Sequence, residues 1–331
     1  MISAVRPVDP DSPDPAILEE AGARIRAGEL VAFAAETVYG LGADATNPEA
    51  VARIYAAKGR PPTNPLIVHV ADVEGARGCT SQWPEAAERL SKLWPGPLTL
   101  VLPRSAKIAP AVSAGRETVG VRIPASAVAL GLIRHAGRPI AAPSANRSNR
   151  ISPTRAEHIG KDTELASKIA IILDSGPTPA GIESTVVDLS QGPPYRVLRP
   201  GPLTAEFLAS ETGLPIESAS TDAIGISPGQ LPIHYAPNTP TAWVERRELS
   251  RFPWPERAAL VLLGPFEPWS LGVGLPPIYP LTDPKIAEPA LFELLHRLDD
   301  AGLDLIAIGP PPDEPAWRAV RDRIRRATGR R

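Results

Sequence analysis

Between Glu36 and Val70 the chain reads ETVYGLGADATNPEAVARIYAAKGRPPTNPLIVHV, and few folds accommodate that order of residue types. Glu36, Thr37 and Tyr39 stand beside Gly40 and Gly42, whose backbones reach conformations closed to other residues, so a polar turn is expected. Asn47 and Pro48 carry the N-cap and first-turn signature of a helix, with Val51, Ile54 and Tyr55 on one face. Gly59 ends that helix and leaves Lys58 and Arg60 projecting from an exposed corner. Pro61, Pro62 and Pro65 stiffen the path into a strand, Leu66–Val70, whose His69 faces away from Leu66, Val68 and Val70. Strand, polar turn, helix, cationic corner and a strand with an inward polar residue read as one wall of an anion pocket.

Around this stretch helical and extended periods alternate. Helices are predicted over Asp14–Ala27, Pro84–Leu93, Val128–His135 and Thr204–Glu211. Strands are predicted over Leu30–Phe33, Leu98–Leu102, Thr118–Ile123, Pro139–Ala142, Ile169–Leu173, Thr185–Leu189 and Arg196–Leu198. Ser152-Pro153-Thr154 reads as the cap of a further helix ending near Ile159. In Thr118–Ile123 the valines and Ile123 alternate with Thr118, Gly120 and Arg122, which sets an arginine mid-strand on a small, polar face. Residues 217–240 lose all hydrophobic period and read as a linker, with His234, Tyr235 and Pro237 heavier than a spacer needs. Beyond them, strands Thr241–Val244, Ala258–Leu263, Pro277–Leu281 and Leu303–Ile308 interleave with helices Ile286–Ala301 and Ala316–Thr328. That is the pattern of a small α/β layer with a largely parallel sheet. The expected division is 1–212 for a first domain, 213–240 for a linker or lid and 241–331 for a second.

The chain has 331 residues, enough for two cores. Its net charge of −2 gives no global basic footprint, so any contact with nucleic acid rests on local charge. Cys79 is the single cysteine, which excludes a disulfide framework and a cysteine-based metal site. The first residues lack the basic start and apolar core of a signal peptide, and no apolar run is long enough to span a bilayer. A cytoplasmic location is expected.

No Walker phosphate loop, dinucleotide fingerprint, His-Glu-x-x-His helix or nucleophile elbow occurs. Lys58 and Arg60, with Arg122 and Arg199, are instead the groups able to surround a triphosphate, each charge-assisted contact contributing roughly 1.5–3 kcal/mol. Taken singly, His69 reads as a hydrogen-bonded core histidine, and Thr37, Ser144, Asn146 and Ser184 as turn residues. Their convergence at strand ends, where open α/β sheets bind ligands, points to a phosphorylated ligand. The arginines from Arg318 to Arg331 read as a solvated basic face and tail.

Several runs carry a more specific signal. Glu36-Thr37-Val38-Tyr39-Gly40-Leu41-Gly42, Lys58-Gly59-Arg60-Pro61, Asn64-Pro65-Leu66 and His69 closely resemble the threonylcarbamoyl-AMP synthase family with the YrdC-like fold. Val119-Gly120-Val121-Arg122-Ile123-Pro124, Pro143-Ser144-Ala145-Asn146, Ser184-Thr185-Val186 and Leu198-Arg199-Pro200-Gly201 match its later motifs. Ser227-Pro228-Gly229, His234-Tyr235-Ala236-Pro237 and the last hundred residues or so resemble its longer, two-domain members. The resemblance implies a twisted, partly open α/β sheet around a concave cavity, plus a small Rossmann-like C-terminal domain. It implies synthesis of L-threonylcarbamoyladenylate from L-threonine, bicarbonate and ATP with release of pyrophosphate. Partner proteins would then transfer the threonylcarbamoyl group to tRNA.

Carried over residue by residue, Thr37, His69, Arg122 and Ser184 would hold L-threonine. Lys58 and Arg60 would be the catalytic cations. With Asn64, Thr118, Ser144, Asn146, Ser152 and Arg199 they would line the ATP site, Tyr235 closing over it and Mg2+ riding on the phosphates. The chain departs from the family pattern at Ala34-Ala35, where Pro-Thr is usual, at Asn149, where glycine is usual, and over Gln230–Ile233. Two other readings compete. A non-catalytic RNA-binding module would bind RNA with strong salt dependence and consume no ATP. A carbamoyl-transferring maturation factor would need additional zinc-finger-like and acylphosphatase-like regions, and a single cysteine forms no Cys pair.

Overall fold

The structure, a computed structural model, describes residues 4–218, 234–266 and 274–329. It divides into two compact units: Met1–Ser148 with Ser152–Gln230, and Asn149–Ile151 with Leu231–Arg331.

The first unit is built on strands β1 (Ala4–Pro7), β2 (Val31–Ala34), β3 (Tyr39–Asp44), β4 (Ile67–His69), β5 (Leu98–Pro103) and β6 (Thr118–Arg122). They are joined by β7 (Ile140–Ala141), β8 (Ile171–Asp174), β9 (Thr185–Asp188), β10 (Tyr195–Arg199) and β11 (Ile216–Ser218). Its helices are α1 (Pro15–Arg26), α2 (Pro48–Lys58), α3 (Val73–Gly78), α4 (Glu85–Leu90), α5 (Ala127–Ala136), α6 (Ala156–Gly160), α7 (Thr163–Ala166) and α8 (Ala205–Thr212). The strands form one mixed sheet in the order β1-β8-β2-β3-β7-β4-β6-β5-β9-β10-β11. β4 lies parallel to β6 with His69 opposite Arg122. β5 lies antiparallel to β6 and parallel to β9.

Apolar side chains bury on both sides of the sheet. Leu41, Ile54, Val68, Leu100 and Val121 join one core, and Leu18, Ile25, Phe33, Leu132 and Ile140 join another with α1 and α5. Each such side chain contributes about 1.5–3 kcal/mol. Local chemistry sets the helix ends. Asn47 accepts hydrogen bonds from Glu49 N and Ala50 N at 3.0 and 3.3 Å, and Gly59 stops α2 in the left-handed conformation at φ 58°.

Three local expectations change. The run from Tyr39 to Asp44 is a strand, not a turn: a Cβ at Gly42 would lie 2.8 Å from Phe33 and 2.9 Å from Ile140, so that glycine serves close strand packing. The helix after Ser152-Pro153-Thr154 is capped in position by Arg155, without a side-chain hydrogen bond. The strand β11 occupies part of the segment read as aperiodic and pairs in parallel with β10.

The second unit carries β12 (Thr241–Trp243), β13 (Ala258–Leu263), β14 (Ile278–Leu281), β15 (Leu305–Gly309), α9 (Pro284–Asp299) and α10 (Arg318–Ala327). Its sheet, β12-β15-β13-β14, is parallel throughout, as the interleaved pattern predicts. Tyr235 is buried here, stacked on Phe292 at 5.3 Å with the Arg323 guanidinium 5.2 Å over its ring. The basic face of α10 is therefore not wholly solvated: Arg323 is fully buried and pairs with Asp322 at 2.8 Å. Asn149 and Tyr235 both adopt left-handed φ, 69° and 61°, and Ala236 N donates to Asn149 O at 2.9 Å. Asparagine is the residue after glycine that tolerates this conformation best, which accounts for it where glycine is usual. Among the described residues no helix is long and apolar enough to cross a membrane.

Candidate active site

Arg122 ends β6 inside the first unit, 3% exposed. Its Nη1 donates to Thr37 Oγ1 at 3.1 Å and its Nε to Gly96 O at 3.2 Å. Glu36 Oε1 stands 2.5 Å from its Nη2 as a buried ion pair. The strand register puts His69 beside it, and Phe33 meets the His69 ring edge-on at 6.4 Å. Burial, and then the positive charge of Arg122, push the His69 imidazolium down to about 3. His69 is neutral at physiological pH.

That shift has a readable sign. His69 takes up a proton on unfolding between pH 3 and its ordinary range near 6.5, so it lowers stability as pH falls through that window. Replacement by Asn is expected to flatten the acid limb of a stability–pH curve between pH 6.5 and 4. An unchanged limb would place His69 in a solvated setting.

Ser184 lies on the neighbouring path. Thr185 N donates to Pro97 O at 2.9 Å, one residue beyond the carbonyl that Arg122 holds. Ser184 Oγ shares a hydrogen bond with Thr99 Oγ1 at 2.8 Å and accepts from Arg199 Nη2 at 3.0 Å, while Arg199 Nε donates to Ser184 O at 3.1 Å. The structure thus joins Thr37, His69 and Arg122 in one cluster and Ser184 with Arg199 in a second beside it.

The cationic corner differs from expectation: Lys58 and Arg60 are 1% and 7% exposed. The turn Pro143-Ser144-Ala145-Asn146 covers Lys58, whose Nζ donates to Ser144 O at 2.5 Å and to Asn146 O. Ser148 N returns a hydrogen bond to Lys58 O at 2.9 Å. Arg60 donates to Asn64 O at 3.0 Å and to Pro65 O at 2.8 Å. Burial, with Arg60 alongside, holds the Lys58 ammonium well below its usual range, and Glu183 pulls the other way. Ser152 Oγ donates to Glu183 Oε1 at 2.5 Å, which links this corner to the segment bearing Ser184. Thr118 opens β6 opposite Pro103, half-buried and four residues before Arg122. Tyr235 belongs to the second unit.

Among the described residues Asn64 Nδ2 and His69 Nδ1 are buried in these clusters without a hydrogen bond, and Glu36 Oε1 and Arg122 Nη2 meet there as an ion pair without one. Native interiors leave few such groups unpaired. Neither Glu36 nor Glu183 carries a site assignment from the sequence. Their adjacency to Thr37 and Ser184 was the available signal.

Three guanidinium groups, those of Arg60, Arg122 and Arg199, gather with the Lys58 ammonium, the neutral His69 imidazole and several hydroxyls in the mixed α/β unit, a set of groups suited to small anionic substrates. Residues 23–201 match the family model described as "Telomere recombination", and residues 203–329 match that of "Threonylcarbamoyl-AMP synthase, C-terminal domain". A threonylcarbamoyl-AMP synthase of Pyrococcus abyssi (strain GE5 / Orsay) is 41% identical over 323 residues, 93% of this chain and 92% of its own length. One of Bacillus subtilis (strain 168) is 48% identical over 237 residues, 70% of this chain and 67% of its own. The crystal structure of P. abyssi Sua5 complexed with L-threonine superposes with a TM-score of 0.85 at 36% identity, covering 99% of this chain and 98% of that one. The chain belongs to the threonylcarbamoyl-AMP synthase family.

Proposed function

We propose that the clusters around Arg122 and Lys58 are the two halves of one active site that makes L-threonylcarbamoyladenylate from L-threonine, bicarbonate and ATP, releasing pyrophosphate. The observation that carries this is the buried Arg122, held by Thr37 Oγ1 and Gly96 O and meeting Glu36 through Nη2 as an ion pair at 2.5 Å. A guanidinium so placed suits an amino-acid carboxylate, because its planar fork engages two oxygens. Thr37, His69 and Ser184 complete the threonine side.

Lys58 and Arg60 are the catalytic cations, lining the ATP side with Asn64, Thr118, Ser144, Asn146, Ser152 and Arg199. Tyr235 is assigned to the same side on its His234-Tyr235-Ala236-Pro237 motif alone. Threonine's amine and bicarbonate give a carbamate with loss of water, and the carbamate oxygen attacks the α-phosphorus as pyrophosphate leaves. Cations fixed in a water-poor site stabilise the charge that develops on the phosphates. Mg2+ would enter as the counter-ion of ATP, since the carboxylates beside these residues, Glu36 and Glu183, are engaged by Arg122 and Ser152. No closed cage is needed by an ion that keeps its waters and rides on phosphate.

The product is a labile adenylate, so it suits hand-over in the cytoplasm to proteins that modify tRNA. Direct contact of this chain with RNA would be weak; in α10, Arg323 and Arg326 pair with Asp322. Pyrophosphate release from Mg-ATP, measured with threonine or bicarbonate omitted in turn, is the test. Release that needs both, with a threonylcarbamoyl-adenylate mass in the product, supports the reading. Release with neither, or RNA binding without turnover, would defeat it.

Lys58→Ala is expected to lower turnover about 10²–10³-fold, as removal of one fixed donor to a developing charge does. It also frees the carbonyls of Ser144 and Asn146, so far-ultraviolet circular dichroism should confirm that the fold persists. Retained turnover would remove Lys58 from the site.

A further inference from the structure

Among the described residues Glu36 is the acidic side chain in ion-pair contact with Arg122, and its position is peculiar. The two side chains are 11% and 4% exposed, and they meet at 2.5 Å without hydrogen-bond geometry. Both Glu36 oxygens and Arg122 Nη2 therefore lack hydrogen bonds. An ion pair retained for stability alone would be expected to close with hydrogen bonds, because buried charge is otherwise costly.

The backbone around Glu36 is fixed from outside. Ala180 N donates to Glu36 O at 2.9 Å, and Ala35 N donates to Val38 O at 3.2 Å across the turn. Arg122 is equally constrained, since Nε and Nη1 are engaged. A carboxylate and a guanidinium are thus held side by side, each with hydrogen-bonding capacity to spare. An α-amino acid presents the complementary pair on adjacent groups, a carboxylate and an ammonium. His69, neutral in this setting, adds no charge that would compete.

We propose that Glu36 binds the ammonium of the amino-acid substrate, so that Glu36 and Arg122 together select the zwitterion. This rests on the assignment of threonine to Arg122 made above. Glu36 orients the nitrogen and is not assigned its proton. Selection then has two parts: the ion pair reads the α-carbon substituents common to all amino acids, and Thr37 and Ser184 remain for the side chain.

The test is calorimetric titration of the full chain with L-threonine and with (3R)-3-hydroxybutanoate, which keeps the carboxylate and hydroxyl and lacks the amine. The wild-type protein is expected to prefer threonine at least tenfold, roughly the value of one charge-assisted hydrogen bond. Glu36→Gln should erase that preference, weakening threonine at least about tenfold and leaving 3-hydroxybutanoate within about twofold. Glu36→Asp, which keeps the charge, should recover part of the loss. Equal weakening of both ligands would make Glu36 a prop for Arg122 and overturn the proposal. So would a wild-type protein that binds the two alike, whatever the variants do. A wild-type protein that binds ATP and neither of these ligands would overturn the threonine assignment itself.

Discussion

Arg122→Ala is expected to abolish threonine-dependent pyrophosphate release and to lower folding stability by about 3–5 kcal/mol, the usual result of leaving one member of a buried ion pair alone. The alanine strands the Glu36 carboxylate and removes the donors to Thr37 Oγ1 and Gly96 O at once. Arg122→Lys separates the two effects. It restores a positive charge near Glu36 but not the planar fork, so stability should return further than threonine affinity. Denaturant unfolding and threonine titration on the same preparations check both. An Arg122→Ala protein with an unchanged unfolding midpoint would show that the pair carries no structural weight.

Gly201→Ala should be as damaging from outside the site. A Cβ there would stand 2.3 Å from Thr185 N, 2.6 Å from the Ser184 carbonyl carbon and 2.7 Å from Glu183 O. These are backbone atoms that no side-chain rotation can move aside. The expected cost is about 3 kcal/mol or more, with the segment 183–185 displaced from β10. Since Arg199 grips Ser184 through both its hydroxyl and its carbonyl, turnover should fall with stability. A thermal melt and a pyrophosphate assay on one sample decide the matter. A variant that melts like the wild type would mean that the Leu198–Gly201 turn yields more easily than its contacts imply.

What was legible in the sequence was local or periodic. Asn47, Pro48 and Gly59 announce the limits of α2 because capping and left-handed stops are settled within a few residues. Arg122 stood out because strict alternation exposes a charge on a face otherwise small. What stayed hidden was set by distant chain. Lys58 looks solvent-facing beside a glycine and three prolines, and is buried because a turn some 86 residues later in sequence closes on it. Gly42 looks like a turn residue until Phe33 and Ile140 are seen against it. Arg323 looks solvated in a helix rich in arginine, yet the Tyr235 ring and Asp322 cover it. Glu36 acquires meaning only when Arg122 arrives beside it.

The order of strands also dictates when this site can exist. β2 leads straight into Glu36 and Thr37, yet its outer neighbour is β8, with Val31 beside Ile171, and β1 reaches the sheet only through that same strand. A nascent chain therefore keeps this flank open until Asp174 has left the ribosome. At roughly 5–20 residues per second that interval is on the order of ten seconds. Ser184 and Arg199 follow later still. The groups proposed for threonine that are synthesised first are thus among the last to be enclosed, and a chain interrupted midway exposes an unpaired edge to its neighbours.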